Sequence, residues 1–233
     1  MNLYLYQLTF HDNLFYETRT LGRLYETGRL LHNIALCYAL GLAQTSYFHA
    51  DDVPHYAEEL ANLNDRNIYI TPAAGVDIRY VIHTFKLGDE RSSVMMERNN
   101  ANIPTYGRAK EIGVDSRFRF GILAASELTI PRWIRMGLWL SKARVEPLEQ
   151  VALHETQPRE REKRLSLLPL NPADLPSTAT LRLFDLVSIR PSSLVENAEI
   201  EATDWWVGQL KNGKEIAFPV GLQHRVEVAV GKR

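Results

Sequence analysis

The sequence of 233 residues is long enough for one large domain or two small ones with a substantial core. Hydrophobic residues make up 45%, yet no apolar run reaches the roughly 18–20 residues of a membrane span, which excludes an ordinary helical membrane protein. The 27 basic residues against 28 acidic ones exclude a bulk attraction to nucleic acid, and the single cysteine, Cys37, excludes an internal disulfide or a cysteine-rich metal site.

Residues 2–10 alternate with period two and predict a strand with Tyr4, Tyr6, Leu8 and Phe10 on one face. The same opening stretch lacks a basic n-region followed by an apolar core, so no secretory signal is expected and the expected location is cytoplasmic. A helix is predicted over Thr27–Gly41, with Thr27 as N-cap and Gly41 as left-handed C-terminal cap. Leu31, Ile34, Ala35, Tyr38, Ala39 and Leu42 recur on it at the spacing of a buried stripe, and Arg19, Arg23, Arg29 and His32 form its polar entrance. A second helix is expected over Asp52–Leu63, capped by Asp51 or Asp52 with Pro54 in its first turn.

Asn67–Pro72 and Val76–Leu87 read as strands, the second rich in β-branched and aromatic residues. Gly88–Ser116 has no sustained period and is longer than a compact domain normally leaves without structure, so it reads as an insertion that orders on a partner. Arg117–Ala124 returns to strand, while Ile130–Val145 fits either a helix or a strand plus turn. Glu155–Arg164 is a charge run expected as a solvated loop, and the prolines of Ser166–Ser177 predict an extended path without helix. Thr178–Ile189 is a further strand, and Asn212-Gly213 between two alternating runs predicts a hairpin with a type I′ turn.

Charge is unevenly distributed. Between Ala43 and Asp65 there are five acidic residues and no Lys or Arg. Between Arg117 and Arg144 six basic residues, Arg117, Arg119, Arg132, Arg135, Lys142 and Arg144, face only Glu127. Two segments interleave these cations with aromatics: Arg117-Phe118-Arg119-Phe120 and Arg132-Trp133-Ile134-Arg135. Arginine forks match phosphate oxygens and flat rings stack on unpaired bases, so the pattern points to single-stranded RNA. The plainer explanation is that the aromatics are core and the arginines alternate outward. His49, Asp51, Asp52 and His55 have metal-ligand chemistry, although the aspartates also serve as helix caps. There is no Gly-x-Ser-x-Gly elbow and no glycine-rich phosphate loop. His11-Asp12 matches a dipeptide of metal phosphohydrolases but lacks their companion helical histidines.

Three stretches, LYETGRLLHNIALCYALGL (24–42), WIRMGLWLSKARVE (133–146) and LPLNPADLP (168–176), stand in order along the chain. With the opening strand and His11-Asp12, they resemble the Cas-five (Csc-one) family, a subunit of type I-D CRISPR Cascade. The resemblance implies an α+β, ferredoxin-like (RNA-recognition-motif-like) RAMP fold over residues 1–150. A thumb would be inserted at about 88–116, with a β-rich C-terminal part over 151–233.

The resemblance further implies a non-catalytic role without cofactor or metal, capping the 5′ handle of CRISPR RNA. Expected partners are that RNA, the backbone (Cas-seven family) subunit and the large (Cas-ten-like) subunit, with target DNA met only through the assembled complex and no membrane contact. Position and charge nominate Arg19, Arg23, Arg29, His32, Arg117, Arg119, Arg132, Arg135, Lys142 and Arg144 for the RNA. Arg108 and Lys110 are nominated for the RNA as well, and their region is also a candidate for helping to read the target's flanking motif. Two alternatives stand beside this reading. One is a repeat-processing endoribonuclease using His32 with Tyr25 or Lys142. The other is a metal-dependent hydrolase built on His49–His55.

Overall fold

A computed structural model describes residues 1–45, 54–87, 105–156 and 160–226. In chain order the elements are β1 (Asn2–Phe10), β2 (Arg19–Leu21), β3 (Leu24–Glu26), β4 (Leu30–Leu31), α1 (Asn33–Ala39), α2 (Tyr56–Glu59) and α3 (Ala61–Asp65). They continue with β5 (Tyr69–Ile70), β6 (Ala73–Asp77), β7 (Tyr80–Leu87), β8 (Thr105–Ile112), β9 (Arg117–Ala124), β10 (Trp133–Met136) and β11 (Ser141–Ala152). The last are β12 (His154–Thr156), β13 (Glu162–Leu165), a 3-10 turn at Pro172–Asp174, β14 (Thr180–Val187), β15 (Leu194–Ala202), β16 (Trp205–Gln209) and β17 (Glu215–Pro219). The protein is mostly β, with few and short helices.

A seven-stranded sheet in the order β10-β11-β1-β9-β6-β4, with β5 also on β9, is the centre. Its pairs are all antiparallel, and β1 lies between β11 and β9, with β6 beyond β9. One face carries Tyr4, Tyr6, Leu8 and Phe10 with Phe118, Phe120, Val145 and Ile134, packed with Ile34, Leu36 and Cys37 of α1. The other face is divided. Toward Leu3, Leu123 and Val151 it joins a second core with Trp205, Ile200 and Phe218 of the C-terminal strands. Toward Thr9 it is open. Three smaller sheets complete the fold: β2-β3-β8-β7, β12-β16-β17 and β13-β15-β14.

The helix expected from Thr27 starts six residues later. Leu30 and Leu31 pair with Ala74 and Ala73 of β6, and that ladder takes the backbone the helix would have used. Thr27 instead ties two chain segments together: its Oγ1 accepts from Tyr16 N (3.2 Å) and donates to Tyr16 O (2.9 Å). His32 is the N-cap, its Nδ1 accepting from Ile34 N at 3.2 Å. The C-terminus is as expected. Gly41 has φ +69°, its N–H reaches Tyr38 O and the Leu42 N–H reaches Cys37 O, both at 2.9 Å, the pair of bonds of a Schellman cap. Ala35, expected in the buried stripe, is exposed.

Other boundaries shift as well. The second helix divides into α2 and α3, and the aspartates expected to cap it lie outside the described residues. Of the insertion, residues 88–104 lie outside the described residues, and 105–112 form β8 rather than an irregular segment. Ile130–Val145 resolves as strand, turn and strand. The two ends of the charge run enter β12 and β13, and the proline-rich path contains one 3-10 turn. The hairpin at Asn212-Gly213 forms, but with a three-residue loop. Only Gly213 takes positive φ (+80°), while Leu210 and Lys214 close the loop through Leu210 N to Lys214 O at 2.9 Å. That is a glycine bulge, not a type I′ turn.

Candidate nucleic-acid interface

The register of the central sheet decides which cations share a surface. Thr9 of β1 faces Arg117 of β9 on one side and Arg144 of β11 on the other, and Arg144 in turn faces Trp133 of β10. The next row holds Arg119, Gln7 and Glu146, and Arg135 pairs with Lys142 at the far edge. Because alternate residues of a strand share a face, all of these lie on the open side of the sheet. Five expected binding residues, Arg117, Arg119, Arg135, Lys142 and Arg144, are thus gathered from three strands.

The two basic-aromatic segments turn out differently. In β9 the rings of Phe118 and Phe120 are core and only the arginines face out. In β10 the buried positions are Ile134 and Met136, so Trp133 shares the exposed face with Arg135. Lys142 Nζ stands 4.1 Å from the centre of the Trp133 ring, and His11 meets the ring edge-on at 5.1 Å. Asp12 Oδ2 accepts from Lys142 N at 2.9 Å, which ties the end of β1 to the edge strands.

Several of these cations have partners at the rim. Arg117 bonds Asp77 Oδ2 at 2.6 Å and holds that carboxyl below its usual range. Arg144 approaches Glu146 at 3.0 Å, and Arg135 donates to Leu140 O at 2.9 Å. Arg119, Arg132, Arg23 and Arg108 have no side-chain hydrogen bond or ion pair among the described residues. Exposed ion pairs of this kind contribute little to stability, so exchange for phosphate costs the fold little.

Arg19, Arg108 and Lys110 form a separate group. The sheet β2-β3-β8-β7 sets them on one face with Tyr80, Ile82 and Tyr106. Glu26 lies between Arg19 and Lys110, bonded to both, and Arg19 first, then Lys110, hold its carboxyl below the usual range. Lys110 Nζ also stands 4.2 Å from the Tyr80 ring centre. Arg23 occupies the turn between β2 and β3, and Arg132 precedes β10. Arg29 pairs with Glu196 of β15 at 2.6 Å, joining the N-terminal and C-terminal parts.

His32 does not belong to either surface. It is 4% exposed, with Nδ1 capping α1 and Nε2 within 3.1 Å of Ser192 O and 3.0 Å of Ser192 Oγ. Burial lowers its pKa to about 4, so it is neutral near pH 7. This corrects its expected place among the RNA-binding residues. Around it two of the distinctive stretches meet. Asn33 Nδ2 donates to Asp174 Oδ2 at 2.7 Å, Asn171 Nδ2 to Asn33 Oδ1 at 3.4 Å, and Ser192 Oγ to Asn171 Oδ1 at 3.1 Å. Tyr69 OH (3.1 Å) and Arg225 N (3.1 Å) also donate to Asp174. His224 stacks on Tyr69 and lies 3.8 Å from Cys37 Sγ through Nε2.

The Cys37, His224 and Asp174 side chains superficially form a nucleophile–base–acid series. All three are buried, His224 Nε2 already accepts from Ile70 N (3.4 Å), and burial pushes the Cys37 thiol up and His224 down to about 3. A sealed neutral imidazole beside a protonated thiol is architecture, not an active centre. The alternative ribonuclease set is also dispersed: His32 caps α1, Tyr25 lies against Phe85 at 5.8 Å, and Lys142 covers Trp133. Of the expected metal cluster only His55 lies within the described residues. Among those residues no three His, Cys, Asp or Glu side chains group to hold an ion, and no helix is long and apolar enough to cross a membrane.

Among solved structures, one chain of the cryo-EM structure of the type III-B Cmr-beta bound to cognate target RNA and AMPPnP is similar at 10% identity. It covers 85% of this chain and 86% of its own, with a TM-score of 0.45, a likeness too slight to carry an argument. No curated protein matches the sequence. The family model described as type I-D CRISPR-associated protein Cas5/Csc1 matches residues 1–227. By that match over nearly its whole length, the chain belongs to the Cas5/Csc1 family of type I-D CRISPR-associated proteins.

Proposed function

We propose that this chain is a non-catalytic subunit of a type I-D CRISPR effector complex and that it holds the 5′ handle of CRISPR RNA on the open half of its central sheet. The observation that carries the reading is the exposed surface formed by Trp133, Arg144, Thr9 and Arg117 in one row and Gln7 and Arg119 in the next. Cations there engage phosphates, Gln7 and Thr9 offer polar groups to base edges, and Trp133 offers a ring for stacking. Family membership supplies the class of RNA. The basic face of β2-β3-β8-β7, reached through Arg19, Arg108 and Lys110, is the second contact, with the RNA or with duplex flanking the target. The remaining faces meet the backbone and large subunits, which agrees with a net charge near zero. The protein is cytoplasmic on this reading.

Sequencing of small RNA retained by the tagged chain, co-expressed with its CRISPR array and partner subunits, tests the proposal. Guide RNAs with a uniform repeat-derived 5′ end are expected with the wild type and depleted when Arg117, Arg119 and Arg144 are all alanine. Equal retention by the triple variant, or RNA-free wild-type protein, would reject the assignment. Repeat RNA incubated with the purified chain should stay intact. Specific cleavage lost in His32→Ala would favour the nuclease instead.

A further inference from the structure

The turn joining β10 to β11 presents three large apolar side chains to solvent: Leu138, Trp139 and Leu140 are 68%, 56% and 61% exposed. Such a tip is costly to display in water, and here the backbone is fixed so that it is displayed. Gly137 takes φ +76°, with no room for a Cβ, which would lie 2.7 Å from Phe15 O. Leu138 N donates to that same Phe15 O at 2.9 Å, and Ser141 Oγ to Asn13 O at 2.5 Å. Leu140 occupies the left-handed region at φ +53°, which a branched aliphatic residue rarely adopts, with its carbonyl held by Arg135 at 2.9 Å.

Trp139 lies on Phe15 with ring centres 4.9 Å apart and an interplanar angle of 28°. Phe15 covers one face of the indole, and the residue as a whole remains more than half exposed. The result is a two-ring stack with a vacant third place. Its surroundings select the occupant. From Leu128 to Val145 the chain carries Arg132, Arg135, Lys142 and Arg144 and no acidic residue. Below the tip the first pair is Met136 with Ser141 and the second is Arg135 with Lys142, continuous with the basic sheet face. Apolar rings beside this cationic pair, with the nearby Asp12 carboxylate already taken up by the Lys142 backbone N–H, fit a ligand that combines a flat ring with negative charge.

We propose that Trp139, backed by Phe15, is a stacking site for one unpaired nucleobase, with Arg135 and Lys142 beside it for the adjoining phosphates. The site deepens the RNA-holding function and rests on it. The nucleic acid leaves the sheet face at β11, crosses the edge strand β10, and places a base on the indole. Leu138 and Leu140 flank the ring and shield the stacked base from water.

The test is a cycle of protein and RNA changes read by equilibrium binding to the purified complex. Repeat-derived RNA carrying a single abasic ribose, walked along the handle, is bound by wild type, Trp139→Ala and Trp139→Phe. Stacking of one base on one ring is worth about 5- to 150-fold in affinity. Trp139→Ala should lose that factor and Trp139→Phe should recover most of it. At one position the abasic RNA should lose the same factor with wild type but nothing further with Trp139→Ala. Equal affinity of wild type and Trp139→Ala overturns the stacking site and leaves the RNA-holding function standing. The same holds if Trp139→Ala keeps the RNA but releases a partner subunit, which would make the tip a protein anchor. Wild type that holds no RNA overturns both.

Discussion

The buried polar hub around Asp174 and the open half of the central sheet use the same kinds of side chain to opposite ends. In the hub, Asn33, Asn171, Ser192, Tyr69 and Arg225 N satisfy one another or Asp174, and Asn33, Asn171, Tyr69 and Asp174 are buried. On the open face Arg119 has no partner among the described residues, and Arg117 and Arg144 have only exposed ones. A satisfied buried network rigidifies a fold, whereas cations that are free or held only by partly exposed partners on a sheet face are set up for a ligand. Two of the stretches most distinctive in sequence, around His32-Asn33 and Leu168–Pro176, therefore serve architecture. The binding chemistry lies mainly in residues that look ordinary one at a time.

If that division is right, the largest effects on folding come from the hub and its helix. Ile34→Asp sets an unpaired charge against the core beside α1, and folded protein should be lost altogether, read as yield and circular dichroism. Asp174→Ala strands Asn33 Nδ2, Tyr69 OH and Arg225 N, at about 1–3 kcal/mol for each orphaned group, so urea unfolding should show a loss of about 3 kcal/mol or more. RNA contacts on the far sheet face should matter little to these numbers.

The hub also sets the response to acid. His32 and His224 have folded pKa values lowered to about 4 and about 3, so between pH 6.5 and 4 the unfolded chain binds two protons that the folded chain refuses. Asp174, raised to about 6 by burial, acts the other way and takes up one proton in the folded state first. Two against one leaves the unfolded state ahead, and stability should fall as pH drops from 6.5 toward 4. Asp174→Asn removes the opposing group, so its loss over that window should be steeper, as measured by urea midpoints at several pH values.

On the open face the signs reverse: stability should be indifferent and binding sensitive. Arg117→Ala with Arg119→Ala should change stability by no more than about 0.5 kcal/mol. The slope of log affinity against log salt should shrink by about 1.4 if each arginine meets one phosphate of a single strand. The smallest expected effect on binding is that of Gly213→Ala. A Cβ there meets nothing within 4 Å, so only the left-handed φ is penalised, about 1 kcal/mol, with RNA affinity unchanged.

Much of the sheet was legible in the sequence because burial on one face imposes period two. β1 and β9 announce themselves through Tyr4, Tyr6, Leu8 and Phe10 and through the Arg-Phe alternation. α1 was misplaced at its start because Leu30 and Leu31 are drawn into a ladder with β6, a long-range pairing that local periodicity does not register. The hub was illegible for the same reason, since Asn33 finds Asp174 141 positions away. His32 looked like a surface ligand because a polar residue at a helix entrance is as often a cap as a contact.

The candidate site was half legible. Arg117 and Arg119 could be assigned to one face from their own strand, but their union with Arg144 and Trp133 follows only from the β1–β11 and β10–β11 registers. Trp139 is not among the residues nominated from the sequence, because with Ile130–Val145 fitting either a helix or a strand plus turn, the local period does not show that it stands at an exposed tip. The signal that it is not core was the cationic company on both sides.

Ultraviolet cross-linking of the assembled complex to its CRISPR RNA, with the linked peptides identified by mass spectrometry, addresses the central claim most directly. The account predicts cross-links concentrated in residues 117–119 and 133–144, at the 5′ repeat-derived nucleotides. Cross-links confined to the C-terminal strands, or none on this chain, would contradict it.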